Sequence, residues 1–150
     1  MRIYLVDDRG TNGEYAAFLH TYKDKLPAFG LNVFTHWTPL YNAIQNTPPD
    51  LIIADMRFDE IQRDQLYGDI ESLANSERFC RNIERAEAQI RGMQGLLICR
   101  ALREHHIQTP IILFATLPPA ISANIIQTLA PIRIIQGLIL EKIISACKEQ

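Results

Sequence analysis

The chain has 150 residues, 47% of them hydrophobic and 21% charged, with a formal net charge of −2. This fits one ordinary domain spanning 1–150 and gives no Lys/Arg-rich run of the kind that serves nucleic acid or an anionic membrane. No apolar stretch reaches the roughly 18 residues of a membrane span, and Met1-Arg2 leads straight into a strand pattern followed by two acids, so the reading is a cytoplasmic protein.

Apolar runs of strand length recur at residues 2–6, 31–35, 51–54, 111–115 and 132–135, separated by helix-length segments. The runs at 51–54 and 111–115 are apolar on successive residues, as strands covered on both faces of a parallel sheet are, so helices should lie on both sides. After the first run and its Asp7-Asp8 end, Glu14 to Leu19 opens a helix that must stop near Pro27. Thr38-Pro39 reads as an N-cap and a first-turn proline for a short helix ending before Pro48-Pro49. The third run closes on Asp55.

From 58 to 92 the chain turns polar and charged, with apolar residues at Leu66, Ile70, Leu73, Phe79, Ile83, Ala86 and Ile90. A structureless loop of that length is improbable in a compact domain, so helix is predicted, broken at Gly68 and at Asn75-Ser76. A helix over 76–91 would be about 24 Å long and would bury Phe79, Ile83 and Ile90 against its own domain or a second copy of the chain. Gly95 to Arg103 is an amphipathic helix, and 137–148 supplies the last one. His105-His106 suit a helix C-terminus better than a metal, because adjacent residues do not face one ligand. Cys80, Cys99 and Cys147, odd in number and without CxxC spacing, read as reduced thiols.

If the first and third runs are neighbours in one parallel sheet, Asp7, Asp8 and Asp55 meet at its carboxyl edge, where open α/β sheets place their ligands. At an effective dielectric near 20, two charges about 4 Å apart repel by roughly 4 kcal/mol. Such a trio must hold a proton or bind a cation, and Mg²⁺ or Mn²⁺ suits an all-oxygen set that leaves room for a phosphate. Each acid alone has an ordinary reading as a turn or cap residue. Only their convergence argues for a site.

The acidic pair after the first strand, the aspartate ending the third, the Gly95-Leu96 helix start and Pro110 before the fourth strand together resemble the receiver domain of bacterial two-component response regulators, a CheY-like superfamily. The resemblance implies a flavodoxin-like, doubly wound five-stranded parallel sheet in the order 2-1-3-4-5, here carrying a helical insertion over about 58–92. It implies that Asp55 accepts a phosphoryl group from a histidine kinase or phosphotransfer protein. Asp8 and Asp55 would bind Mg²⁺ directly, Asp7 would hold a metal water, and the backbone carbonyl of Arg57 would complete the protein ligands.

Departures from the family pattern are concentrated around the phosphoryl pocket. Ala115 stands where the family has Thr or Ser, with Thr116 one step later, and a one-residue shift along a strand turns a side chain to the other face. Thr116 could substitute only through a bulge or a flexible strand end. Gln136-Gly137 replaces the family's Lys-Pro, so a neutral donor stands in for a cation. Arg133 occupies the aromatic switch position, and Asp59 the place of a proline after the acceptor.

Three functions follow. The first is a divergent, stand-alone receiver that is not an enzyme beyond its own phosphorylation and dephosphorylation at Asp55, and that signals through a downstream protein partner or a homodimer. The second is a pseudo-receiver that associates without phosphorylation. The third, a Mg²⁺-dependent phosphohydrolase with Asp55 as nucleophile, is disfavoured because Arg57 stands where haloacid-dehalogenase-type enzymes want a second Asp as general acid. Flavodoxin-like cofactor binding is disfavoured because the loop after the first strand opens with two acids, which repel a phosphate unless metal intervenes.

Overall fold

The computed structural model describes residues 1–26 and 30–149. The helix stop expected near Pro27 lies outside them. Strands β1 (Arg2–Val6), β2 (Gly30–Phe34), β3 (Leu51–Asp55), β4 (Ile111–Phe114) and β5 (Ile132–Ile135) form an all-parallel sheet in the order β2-β1-β3-β4-β5. This is the predicted doubly wound topology. β2 begins one residue earlier than the apolar run suggested, and β4 one residue shorter, because pairing with the neighbouring strands sets the ends.

Strand alternation divides the core into two layers. Ile3, Leu5, Leu51, Ile53, Ile112 and Phe114 face α1 (Glu14–Thr21) and α7 (Leu140–Lys148). Tyr4, Val6, Ile52, Ala54, Ile111 and Leu113 face α2 (Trp37–Asn46), α5 (Gln94–Glu104) and α6 (Pro119–Thr128). The central strand β3 buries Leu51 through Ala54 completely, as its unbroken apolar run required.

Several local expectations need correction. The residue before α2 is His36, with no side-chain cap, so Thr38 lies inside the helix and Pro39 in its first turn, where a missing N–H costs no bond. α7 starts at Leu140, not Gly137, whose φ of +76 favours a turn.

The segment 58–92 is helical but shorter in its runs than periodicity suggested. It holds α3 (Ile70–Ala74) and α4 (Ile83–Gly92), capped by the side chains of Asp69 and Asn82. No helix runs from Ser76, because Cys80 and Arg81 adopt positive φ and Asn82 restarts the helix. Phe79 and Ile90 are buried within the chain, Phe79 with Ala74 and Ala86, and Ile90 with Phe58, Ile61 and Leu66. Ile83, expected inside, is 39% exposed, since the first residue of the shortened helix projects past that contact.

Candidate metal centre

β1 and β3 are adjacent and in register, Val6 opposite Ala54, so the residues that follow them emerge side by side at the carboxyl edge. Asp7, Asp8 and Asp55 each present one carboxylate oxygen there, all within 4.8 Å of one another. Asp7 is almost wholly buried. Its N–H extends the ladder to the Phe34 carbonyl, and its Oδ1 accepts the Arg9 N–H at 3.1 Å. Its Oδ2 is buried with no hydrogen-bond partner, and the backbone of Gly13 lies so close that a Cβ there would overlap it.

Asp8 Oδ2 accepts two backbone N–H groups, from Asp59 and Glu60, each at 2.6 Å. The start of the segment 58–92 is thereby tied to the acidic edge. Asp55 Oδ1 accepts the Met56 N–H at 2.8 Å and the hydroxyl of Tyr15 at 2.9 Å. The Tyr15 ring stacks on Phe114, with centroids 4.7 Å apart.

The electrostatics follow from burial and like charge. Burial, the Asp8 side chain and the charges of Asp55 and Asp8 push the Asp7 carboxyl up to about 7, against the lowering by the Arg9 N–H. Burial also raises Asp55, opposed by the Tyr15 and Met56 hydrogen bonds. Among the described residues no cationic side chain pairs with the trio. A hard, oxygen-only donor set with one orphaned buried oxygen fits Mg²⁺ or Mn²⁺.

The remaining predicted residues sit at the same edge in different states. Ala115 follows β4 and donates its N–H to the Ile135 carbonyl at 3.2 Å, so the ladder continues without the bulge that would bring Thr116 into its place. Thr116 and Gln136 are exposed, and neither side chain makes a hydrogen bond among the described residues. The Arg57 side chain is exposed and paired with Asp59 at 2.7 Å. That pairing points the Asp59 carboxylate at a guanidinium, which suits neither a general acid nor a metal ligand.

Two contributors escaped the sequence reading. Tyr15 was legible only as a helix residue. Gln94, fully buried, accepts the Tyr67 N–H at 2.6 Å and donates to the Tyr67 carbonyl at 3.0 Å, clasping the segment 58–92 to the start of α5. A lone Gln beside Gly95 carries no signal of that clasp.

No protein-family model matches the chain and no curated protein matches its sequence. Solved structures do. The signal receiver domain of a Luxo repressor protein from Vibrio parahaemolyticus is 16% identical with a TM-score of 0.62, covering 99% of this chain and 90% of that one. The receiver domain of Francisella response regulator 1452 is 10% identical with a TM-score of 0.62, covering 99% and 93%. A DNA-binding response regulator of the LuxR family from Staphylococcus aureus is 13% identical with a TM-score of 0.61, covering 99% and 96%. Likeness at such identities is one of architecture: the chain has the fold of response-regulator receiver domains, with Asp7, Asp8 and Asp55 gathered at the sheet edge where that fold places its acidic pocket.

Proposed function

We propose that the protein is a divergent receiver domain of two-component signal transduction, in which Asp55 accepts a phosphoryl group in a Mg²⁺- or Mn²⁺-dependent step. The observation that carries this reading is the convergence of three carboxylates around a buried, partnerless Asp7 oxygen. Asp7, Asp8, Asp55 and the Arg57 carbonyl would hold the cation, which when bound cancels repulsion between Asp55 and an anionic phosphoryl donor. A carboxylate oxygen of Asp55 attacks phosphorus on a histidine kinase or phosphotransfer protein, and the P–N bond electrons return to the donor imidazole. Gly95 keeps the backbone of α5 against Asp55, while Asp59 and Glu60 fix the Asp8 rotamer.

Ala115 and Gln136 would then border the phosphoryl pocket without a cation, and Thr116 would reach it only through a rearrangement of the strand end. Thr116 and Gln136 make no other hydrogen bond among the described residues, but neither brings the positive charge that a lysine would set against a phosphoryl anion. That weakness supports a second reading, association without phosphorylation. Output through the segment 58–92 is supported by a groove of about 630 Å³ bordered by Arg78, Phe79, Arg85, Met93 and Leu117. The Arg78 and Arg85 guanidiniums lie 5.3 and 5.8 Å from the Phe79 ring centroid and have no carboxylate partner among the described residues, so the groove suits an acidic segment of a partner protein.

The test is binding of beryllofluoride, a phosphoryl mimic, measured calorimetrically with and without Mg²⁺. Binding that requires Mg²⁺ and vanishes in Asp55→Asn is expected. No binding, or binding indifferent to Asp55, would leave the phosphorylation-independent reading in its place.

A further inference from the structure

We infer that Tyr15 is a brake on Asp55. The inference rests on the metal and acceptor reading above and starts from the lone pairs of one atom. A carboxylate oxygen presents about two acceptor sites. Both sites of Asp55 Oδ1 are taken, one by the Met56 N–H at 2.8 Å and the other by the Tyr15 hydroxyl at 2.9 Å. The first is fixed by the backbone. The second is a side chain that can leave.

The geometry makes the Tyr15 bond persistent. Its ring is half-buried, stacked at 28° on Phe114, and Phe114 is the β4 residue directly opposite Asp55 in the sheet. Tyr15 sits in the first turn of α1, which packs on that side of the sheet and begins just after Gly13, the residue pressed against Asp7. Stacking therefore aims the hydroxyl at Oδ1. A hydrogen bond to an ionised carboxylate is of the stronger, charge-assisted kind.

Two consequences follow for Asp55. Its Oδ1 cannot take a cation or a further donor while Tyr15 is in place, so binding there must first break the Tyr15 bond. The same bond withdraws electron density from the carboxylate and makes its free oxygen a weaker nucleophile toward phosphorus. Both effects act against loading; the bond itself steadies the metal-free protein, and the stack on Phe114 is a separate contact of the ring. Tyr15 is thus a positioning residue with a negative sign, distinct from the Ala115 and Gln136 departures, which weaken the pocket on the phosphoryl side.

Tyr15→Phe separates the bond from the stack. The test compares wild type and Tyr15→Phe in calorimetric Mg²⁺ titration, in the initial rate of labelling by acetyl phosphate, and in urea unfolding. The expected result is Mg²⁺ binding tightened on the order of tenfold, the loss of one charge-assisted bond as competitor, with faster labelling and a metal-free variant whose unfolding equilibrium is less favourable to the fold by the same factor. A tyrosine near-UV difference signal should accompany Mg²⁺ binding in wild type and disappear in the variant. Mg²⁺ affinity and labelling unchanged or lowered in Tyr15→Phe, with wild type binding normally, would overturn the brake and leave the acceptor reading standing. Absence of both Mg²⁺ binding and labelling in both proteins would overturn the two together.

Discussion

Gly95 meets Asp55 backbone to backbone: its N–H donates to the Met56 carbonyl at 3.0 Å, and a Cβ on Gly95 would overlap the carbonyl oxygen of Asp55. The helix that follows the segment 58–92 thus starts in contact with Asp55. Replacing Gly95 by Ala must push β3 and α5 apart, and overpacking of this kind costs about 1–3 kcal/mol. Urea unfolding of Gly95→Ala should show that loss together with weakened Mg²⁺ binding. Stability within error of wild type would mean that β3 and α5 can separate at this edge without cost.

Metal-free protein should lose stability as pH rises from about 4 to about 7. Asp7 is held up to about 7 when folded, chiefly by burial, against about 3.9 in an unfolded chain. Below both values it is neutral in either state; between them only the unfolded chain releases the proton, so folding becomes progressively less favourable. The ceiling is on the order of 4 kcal/mol. Asp7→Asn should flatten the profile and be the more stable protein at pH 8 without metal, while losing Mg²⁺ binding. Equal slopes for the two proteins by denaturation across pH 4–8 would remove Asp7 as the cause.

Asp8 joins the acidic cluster to the segment 58–92. Saturating Mg²⁺, at about 100 times its dissociation constant, should stabilise wild type by roughly 2.7 kcal/mol. In Asp8→Ala that gain should vanish, and the amides of Asp59 and Glu60, which lose their acceptor, should exchange faster in hydrogen-exchange NMR. Persistence of the Mg²⁺ stabilisation in Asp8→Ala would exclude Asp8 as a ligand.

Phe79 and Ile83 make opposite predictions although they share the apolar stripe of the sequence. Phe79 is buried against Ala74 and Ala86, so Phe79→Ala should cost about 3 kcal/mol or more. Ile83 is 39% exposed, and Ile83→Glu should stay within about 0.5 kcal/mol. Solution mass, measured by light scattering, should be the same for wild type and both variants, because Phe79 is satisfied within the chain. A folded monomer produced from a wild-type dimer by Ile83→Glu would instead assign the stripe to self-association.

How much of this was legible depended on how local the signal was. The sheet order and the acid trio follow from runs such as Leu51 to Asp55, where apolar continuity, strand length and a terminal acid coincide within five residues. Helix boundaries inside 58–92 were not legible: the stripe from Phe79 to Ile90 keeps helical spacing across Cys80 and Arg81, whose left-handed backbone interrupts the helix without a glycine to mark it. Long-range polar contacts were also invisible. Arg103 gives its guanidinium to the carbonyls of Ile107, Thr109, Leu129 and Pro131, and Gln94 clasps Tyr67, yet each reads in sequence as one more polar residue of an amphipathic helix. Tyr15 was hidden for the same reason, since its partner lies 40 residues away.

Phosphorylation of Asp55 can be read at the residue itself. Protein incubated with acetyl phosphate and Mg²⁺ is treated with borohydride, which reduces an acyl phosphate to the alcohol and so converts a phosphorylated aspartate to homoserine, and peptide mass spectrometry then locates the change. Homoserine at Asp55, dependent on Mg²⁺ and lost in Asp8→Ala, is the predicted result. Homoserine elsewhere, or none in wild type and in Tyr15→Phe alike, would contradict it.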